Sequence, residues 1–180
     1  MMQEARSISE ARLFIEREPC PACGHRGFGH PSKLVENGER IAAVASGYCP
    51  SCGTERTFEL LLGDERVPDG AWGSAARSTL IDAGEWLAIA DDFGARVPAE
   101  IETLDRGARD VARADLAKGI AAVEEVLKFF PPGSDELPRD AFFTKRGLEL
   151  YLAQPARYRR DRLDVLLDAW RELAESFIEN

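Results

Sequence analysis

Apolar positions along this chain change rhythm near residue 63. Before that point they alternate with polar ones over short stretches; beyond residue 77 they recur every three or four positions. Alternation suits strands with one covered face, and the longer period suits helices packed along one side. In the first part, Ser7 or Ser9 can cap a short helix through about Glu18, with Ala11, Phe14 and Ile15 on one side and Pro19 as its stop. His30 to Glu36 reads as a strand, Asn37-Gly38 as a hairpin turn, and Glu39 to Tyr48 as the return strand. A third strand runs from Thr54 to Leu62, where Phe58, Leu60 and Leu62 alternate with Thr57, Glu59 and Leu61. Leu61 is apolar on the outward side, so both faces of this strand are expected to be partly covered.

Gly63 to Gly73, with Pro68, Asp69-Gly70 and Trp72, breaks the pattern. The expected division is residues 1–63, a linker over 64–76 and a helical domain over 77–180. Ser78 is expected to cap a helix to about Asp92, with Leu80, Ile81, Gly84, Leu87 and Ala90 on one face and Gly94 as its stop. Pro98 opens another helical stretch, and the apolar series from Leu104 to Phe130 predicts a helix of about 25 residues ended by Pro131-Pro132-Gly133. Thr144 caps a short helix to Ala153, and Pro155 fits the first turn of a last helix reaching about Ile178, with Leu163, Leu167, Trp170 and Phe177 in its apolar stripe. Trp86, Trp170, Tyr151 and Tyr158 read as packing residues. The expected class is α+β, a small antiparallel sheet followed by a bundle of four or five helices.

All 4 cysteines fall in two matching hooks, Cys20-Pro21-Ala22-Cys23-Gly24 and Cys49-Pro50-Ser51-Cys52-Gly53. Two such pairs joined by a hairpin can bring Cys20, Cys23, Cys49 and Cys52 to the corners of a tetrahedron, the arrangement of a closed structural Zn2+ site. Each proline fixes a backbone dihedral, and Gly24 and Gly53 let backbone amides turn towards the sulfurs. On these residues, the stretch from Cys20 to about Leu62 resembles a zinc ribbon, in which two knuckles at the ends of a small antiparallel sheet clamp one zinc. The resemblance implies a fold and a structural Zn2+, not an activity. His25 lies two residues past Cys23, but four cysteines already complete a four-ligand shell, so His25 and His30 read as rings beside the knuckle.

Enzyme signatures are missing. The first hook matches half of the zinc deaminase motif, but no His-x-Glu occurs to complete it. There is no phosphate-cradling loop, nucleophile elbow or dinucleotide fingerprint. Adjacent acids such as Asp91-Asp92 and Glu124-Glu125 point about 100° apart on a helix and do not converge on a substrate. No catalytic residue and no organic cofactor is assigned, and a non-enzymatic protein is expected.

Charge then narrows the partners. The net charge is −9, and residues 64–136 hold 8 basic and 16 acidic side chains. Such a segment repels phosphate backbones and attracts basic protein surfaces. The ribbon offers only Arg26, Lys33, Arg40 and Arg56 after its first hook, too few for a nucleic-acid face. The expectation is a zinc-binding interaction module whose acidic helical surface docks a basic protein partner. Its layout is similar to small intracellular immunity or antitoxin proteins that block a toxin. The alternative is a nucleic-acid-binding accessory protein using the ribbon and the cluster Arg157, Arg159, Arg160 and Arg162. Within that cluster Arg157 and Arg160 stand four residues before Asp161 and Asp164, the spacing of helical ion pairs. No apolar run is long enough for a membrane span, and the start lacks the apolar core of an export signal, so a cytoplasmic location is expected.

Overall fold

The computed structural model describes residues 2–177. Two compact units divide the chain at Leu80 and Ile81, the first built on a sheet and the second on helices. The fold class is α+β.

In the first unit a four-stranded sheet runs in the order β1 (Glu4–Ala5), β4 (Glu55–Leu62), β3 (Arg40–Tyr48), β2 (Lys33–Asn37). β2 and β3 form an antiparallel hairpin, closed by Asn37 opposite Arg40 with Gly38 at φ 64°. That left-handed turn is the one an Asn-Gly pair adopts at least cost. β3 pairs antiparallel with β4 from Ala42–Leu61 to Tyr48–Glu55. The sheet is not purely antiparallel, as expected from the pattern, because the two residues of β1 pair parallel to Leu61 and Leu62. So short a strand leaves no period to read.

Helix α1 (Ile8–Arg17) packs on the sheet through Ala11, Leu13 and Ile15. Ser7, not Ser9, is its cap and accepts the Glu10 amide at 2.9 Å. β2 begins three residues later than the pattern suggests. Pro31 has no amide to give a ladder, and His30 lies flat over Gly47, leaving no room there for a side chain, with Nε2 3.0 Å from the Tyr48 carbonyl.

The stretch 64–76, expected to be a linker, belongs to the first unit. Gly63 donates to the Ala5 carbonyl at 2.8 Å, Ser7 Oγ donates to the Trp72 carbonyl, and the Arg6 guanidinium donates to the Ala76 carbonyl. Arg6 is itself held by a 2.6 Å ion pair to the fully buried Glu10. A buried carboxylate is tolerable only with such partners.

The second unit contains α2 (Ala83–Gly94), α3 (Arg106–Leu127), α4 (Lys145–Ala153) and α5 (Arg160–Ser176). α2 starts five residues after the predicted cap. Asp82 caps it by accepting the Glu85 amide at 2.9 Å, and Ser78 instead accepts the Leu80 amide. The second oxygen of Asp82 accepts the amide and hydroxyl of Thr144, which in turn caps α4 by accepting the Gly147 amide at 2.9 Å. Asp105 caps α3, so Leu104 precedes the helix and a single 3-10 turn, Ile101–Thr103, takes up the chain before it. Pro155 opens a separate 3-10 turn, Pro155–Tyr158, rather than α5. Residue 178, which the pattern assigned to the last helix, lies outside the described residues.

Packing follows shape as much as hydrophobicity. The Trp170 indole of α5 lies where a Cβ on Gly94 of α2 or Gly119 of α3 would stand, at 2.7 and 2.8 Å. Around it Ile101, Ala112, Leu116 and Phe177 form a buried cluster flanked by Ile120 and Leu173. Trp86 is fully buried in α2. No helix among the described residues is long and apolar enough to cross a membrane.

Candidate metal centre

The two hooks fold identically. In the first, the Cys20 amide donates to the His25 carbonyl and the Gly24 amide to the Cys20 carbonyl, both at 2.8 Å. In the second, the Cys49 amide donates to Thr54 at 2.8 Å and the Gly53 amide to Cys49 at 2.9 Å. Gly24 and Gly53 sit at φ 73° and 71°. Only the left-handed conformation closes so tight a turn, and glycine adopts it without a Cβ penalty.

These turns bring the four sulfurs together. Cys20 and Cys52 Sγ are 3.7 Å apart, as are Cys23 and Cys49, and all four lie within 4.8 Å of one another. Sulfurs bound tetrahedrally at about 2.3 Å stand about 3.8 Å apart, so the donor set fits a metal ion of that kind. Cys20 and Cys49 are buried, while Cys23 and Cys52 face solvent. His25 is not part of the cluster; it lends its backbone to the hook.

Electrostatics divides the thiols. Thr54, through its hydroxyl 3.2 Å from the sulfur and its amide, pulls Cys52 down to about 6. The His25 amide pulls Cys23 down as well, but hydrogen bonding among the neighbouring sulfurs and desolvation outweigh it, and Cys23 is pushed up to about 11. Cys49 is lowered: burial opposes ionisation, but the Cys52 and Ser51 amides and the Cys23 sulfur overcome it. Four thiolates in one place repel, so without a cation they share protons.

One residue that supports the hooks was missed by sequence reasoning. Arg56 is buried between the rings of Phe28 and Phe58, with its guanidinium carbon 5.1 and 4.8 Å from their centroids. It donates to the carbonyls of Glu18 and Pro19, at 2.9 and 3.3 Å, immediately before Cys20. The strand that follows the second hook thereby fastens the entry to the first. Arg56 and Phe58 on one face of β4 were the available signal.

The arginines outside the ribbon are largely occupied too. Arg157 pairs in bidentate fashion with Asp91 of α2, at 2.6 and 2.9 Å, rather than with Asp161. Arg160 donates to the Ser134 carbonyl and stacks on Phe130, rather than pairing with Asp164. Helical i,i+4 pairing needs both residues in one helix, and Arg157 lies in the turn before α5. Arg159 and Arg162 are exposed.

The acids behave similarly. Asp82 and Asp105 cap helices, Glu125 is buried beside Lys128, and Asp110, Asp115 and Glu124 pair with Arg113, Lys118 and Arg171. Asp64, Glu65, Asp69, Glu100, Asp135 and Glu136 are exposed. No protein-family model matches this chain, and neither the curated proteins nor the solved structures searched contain a match.

Proposed function

We propose that Cys20, Cys23, Cys49 and Cys52 hold one structural Zn2+ and that the chain works as a non-enzymatic protein-interaction module. The carrying observation is the closed set of four sulfurs at tetrahedral spacing. Four thiolates fill the shell of a structural zinc and leave no position for water or substrate, so the ion's chemistry here is cohesion. Arg56 and the paired backbone turns orient the ligands.

The partner in this reading is a protein with a basic surface. Its support is the net charge of −9 together with the exposed acids that remain after the intramolecular pairs are set aside. Acidic steering speeds association and suppresses acidic competitors. An immunity or antitoxin role, blocking a basic toxin, is the narrower form of the proposal. A nucleic-acid reading loses Arg56, Arg157 and Arg160 to intramolecular contacts.

Two measurements test this. Elemental analysis of the purified chain is expected to give one zinc per chain, lost in the Cys20→Ser and Cys49→Ser variants; no bound metal would overturn the first half. Affinity capture with and without nuclease is expected to retain a basic protein in both cases. Neutralising Asp64, Glu65 and Asp69 together with Glu100, Asp135 and Glu136 should then slow its association at low salt. Recovery that vanishes with nuclease would replace the interaction reading with a nucleic-acid one.

A further inference from the structure

The helical unit carries a cavity that the metal centre does not explain. Its volume is about 320 Å³, within the range of small-molecule sites. Its walls are Glu136, Leu137, Tyr151, Pro155, Tyr158 and Arg159. They come from the loop after α3, from α4 and from the turn before α5.

The walls are fixed from behind. Tyr151 stacks on Phe142 with centroids 4.2 Å apart, and Tyr158 meets both rings edge-on at 5.5 and 5.3 Å. Arg157 anchors the Pro155–Tyr158 turn to α2 through Asp91. Arg160 holds the opposite loop, its amide on the Asp135 carbonyl and its Nε on that of Ser134. Two of the four clustered arginines therefore serve as scaffold. Arg159 is left at the cavity, touching only Asp161 through Nε at 3.3 Å, and its terminal nitrogens have no partner among the described residues.

The polar groups at this cavity are complementary in charge and open to a ligand. Tyr158 is only 5% exposed, and its hydroxyl, with no partner among the described residues, keeps access to solvent. Burial pushes its pKa up to about 12, so it stays a neutral donor. The Glu136 carboxylate is exposed and has no cationic partner among the described residues. A guanidinium fork suits a carboxylate, a free carboxylate suits an ammonium group, and aromatic walls suit a flat ring.

We propose that this cavity binds a small zwitterion with a flat ring, the chemical class of the aromatic α-amino acids. Arg159 takes the carboxylate, Glu136 the ammonium group, and Tyr151 with Tyr158 the ring. One cation beside one anion selects against ligands carrying either charge alone. The site is independent of the metal reading, since none of its residues belongs to the ribbon.

Calorimetric titration of the full, zinc-supplemented chain with L-phenylalanine tests the assignment, with phenethylamine and phenylacetate as analogues lacking one charge each. Saturable binding of L-phenylalanine is expected, weaker by about tenfold or more for each analogue. Arg159→Ala should weaken L-phenylalanine but leave phenethylamine unchanged, and Glu136→Gln should likewise weaken L-phenylalanine but leave phenylacetate unchanged. Tyr158→Phe, which keeps the ring, should bind L-phenylalanine like the parent, and circular dichroism confirms that each variant is folded. No saturable heat up to about 20 mM, equal binding of all three compounds, folded Arg159→Ala and Glu136→Gln variants that bind like the parent, or tighter binding of adenosine monophosphate would each overturn the proposal.

Discussion

Asp82 holds two helices by their first turns at once. Its two oxygens serve the start of α2 and, through Thr144, the start of α4, from a fully buried position. Removing it leaves three donors unmatched, so Asp82→Ala is expected to lower stability by about 2–4 kcal/mol, read from the denaturant midpoint of the helical signal. Gly147 is where this lock is tightest, because a Cβ there would run into the Asp82 carboxylate. Gly147→Ala should cost about 1–3 kcal/mol in the same assay, whereas Gly107→Ala, whose Cβ meets nothing closer than 3.5 Å, should be neutral or slightly stabilising. The thiols give a residue-scale pH dependence. Without metal, Cys52 lies below its ordinary 9.0 and Cys23 above it. The depressed thiol stabilises the metal-free fold above 9.0 and loses that contribution as pH falls through about 6; the raised one contributes below 9.0 and loses it as pH rises through about 11. Binding needs all four deprotonated. Metal uptake at neutral pH should therefore acidify a weakly buffered solution, and affinity should fall steadily from about pH 8 towards about pH 5 in a chelator competition.

Among the elements, β4 ties the metal centre to the sheet. Its Arg56 is flat, carries its charge permanently and reaches two carbonyls while stacked between two rings, which lysine does not reproduce. Arg56→Lys is expected to destabilise the first unit by about 1–2 kcal/mol and to speed metal loss to a chelator, with the melting of the helical unit unchanged. This contact also shows what the chain discloses of itself. The hooks and the Asn37-Gly38 turn were legible because local chemistry decides them: a left-handed backbone needs glycine, and paired cysteines need a common ion. The start of α2 was not, because Ser78 and Asp82 are both able caps. What selects Asp82 is Thr144, 62 residues away. The role of Arg56 was missed for the same reason, since Phe28 reaches it only in the folded unit. Gly94 looked like a helix stop, and it is also the space into which Trp170 fits.

At the scale of the whole molecule, the division at residues 80 and 81 separates two kinds of cohesion. The first unit depends on four sulfurs and a modest apolar core; the second has its own buried cluster and interlocked caps. Chelation at neutral pH is expected to abolish the strand contribution to circular dichroism and leave the helical minima in place. Loss of both in one transition would contradict that independence. The acidic excess was legible as a count but not as a surface, because pairing with Arg113, Lys118, Lys128, Arg157 and Arg171 is settled only by the fold. The clasp that Arg6 and Ser7 make on Trp72 and Ala76 has one more consequence, for the order of events during translation. Chains emerge from the ribosome at about 5–20 residues per second, so both cysteine hooks exist several seconds or less before Ala76 does. The four sulfurs are complete while the ends that will seal the unit are still apart, so an ion of the proposed kind would meet an open hairpin before the N-terminal segment closes over its neighbour.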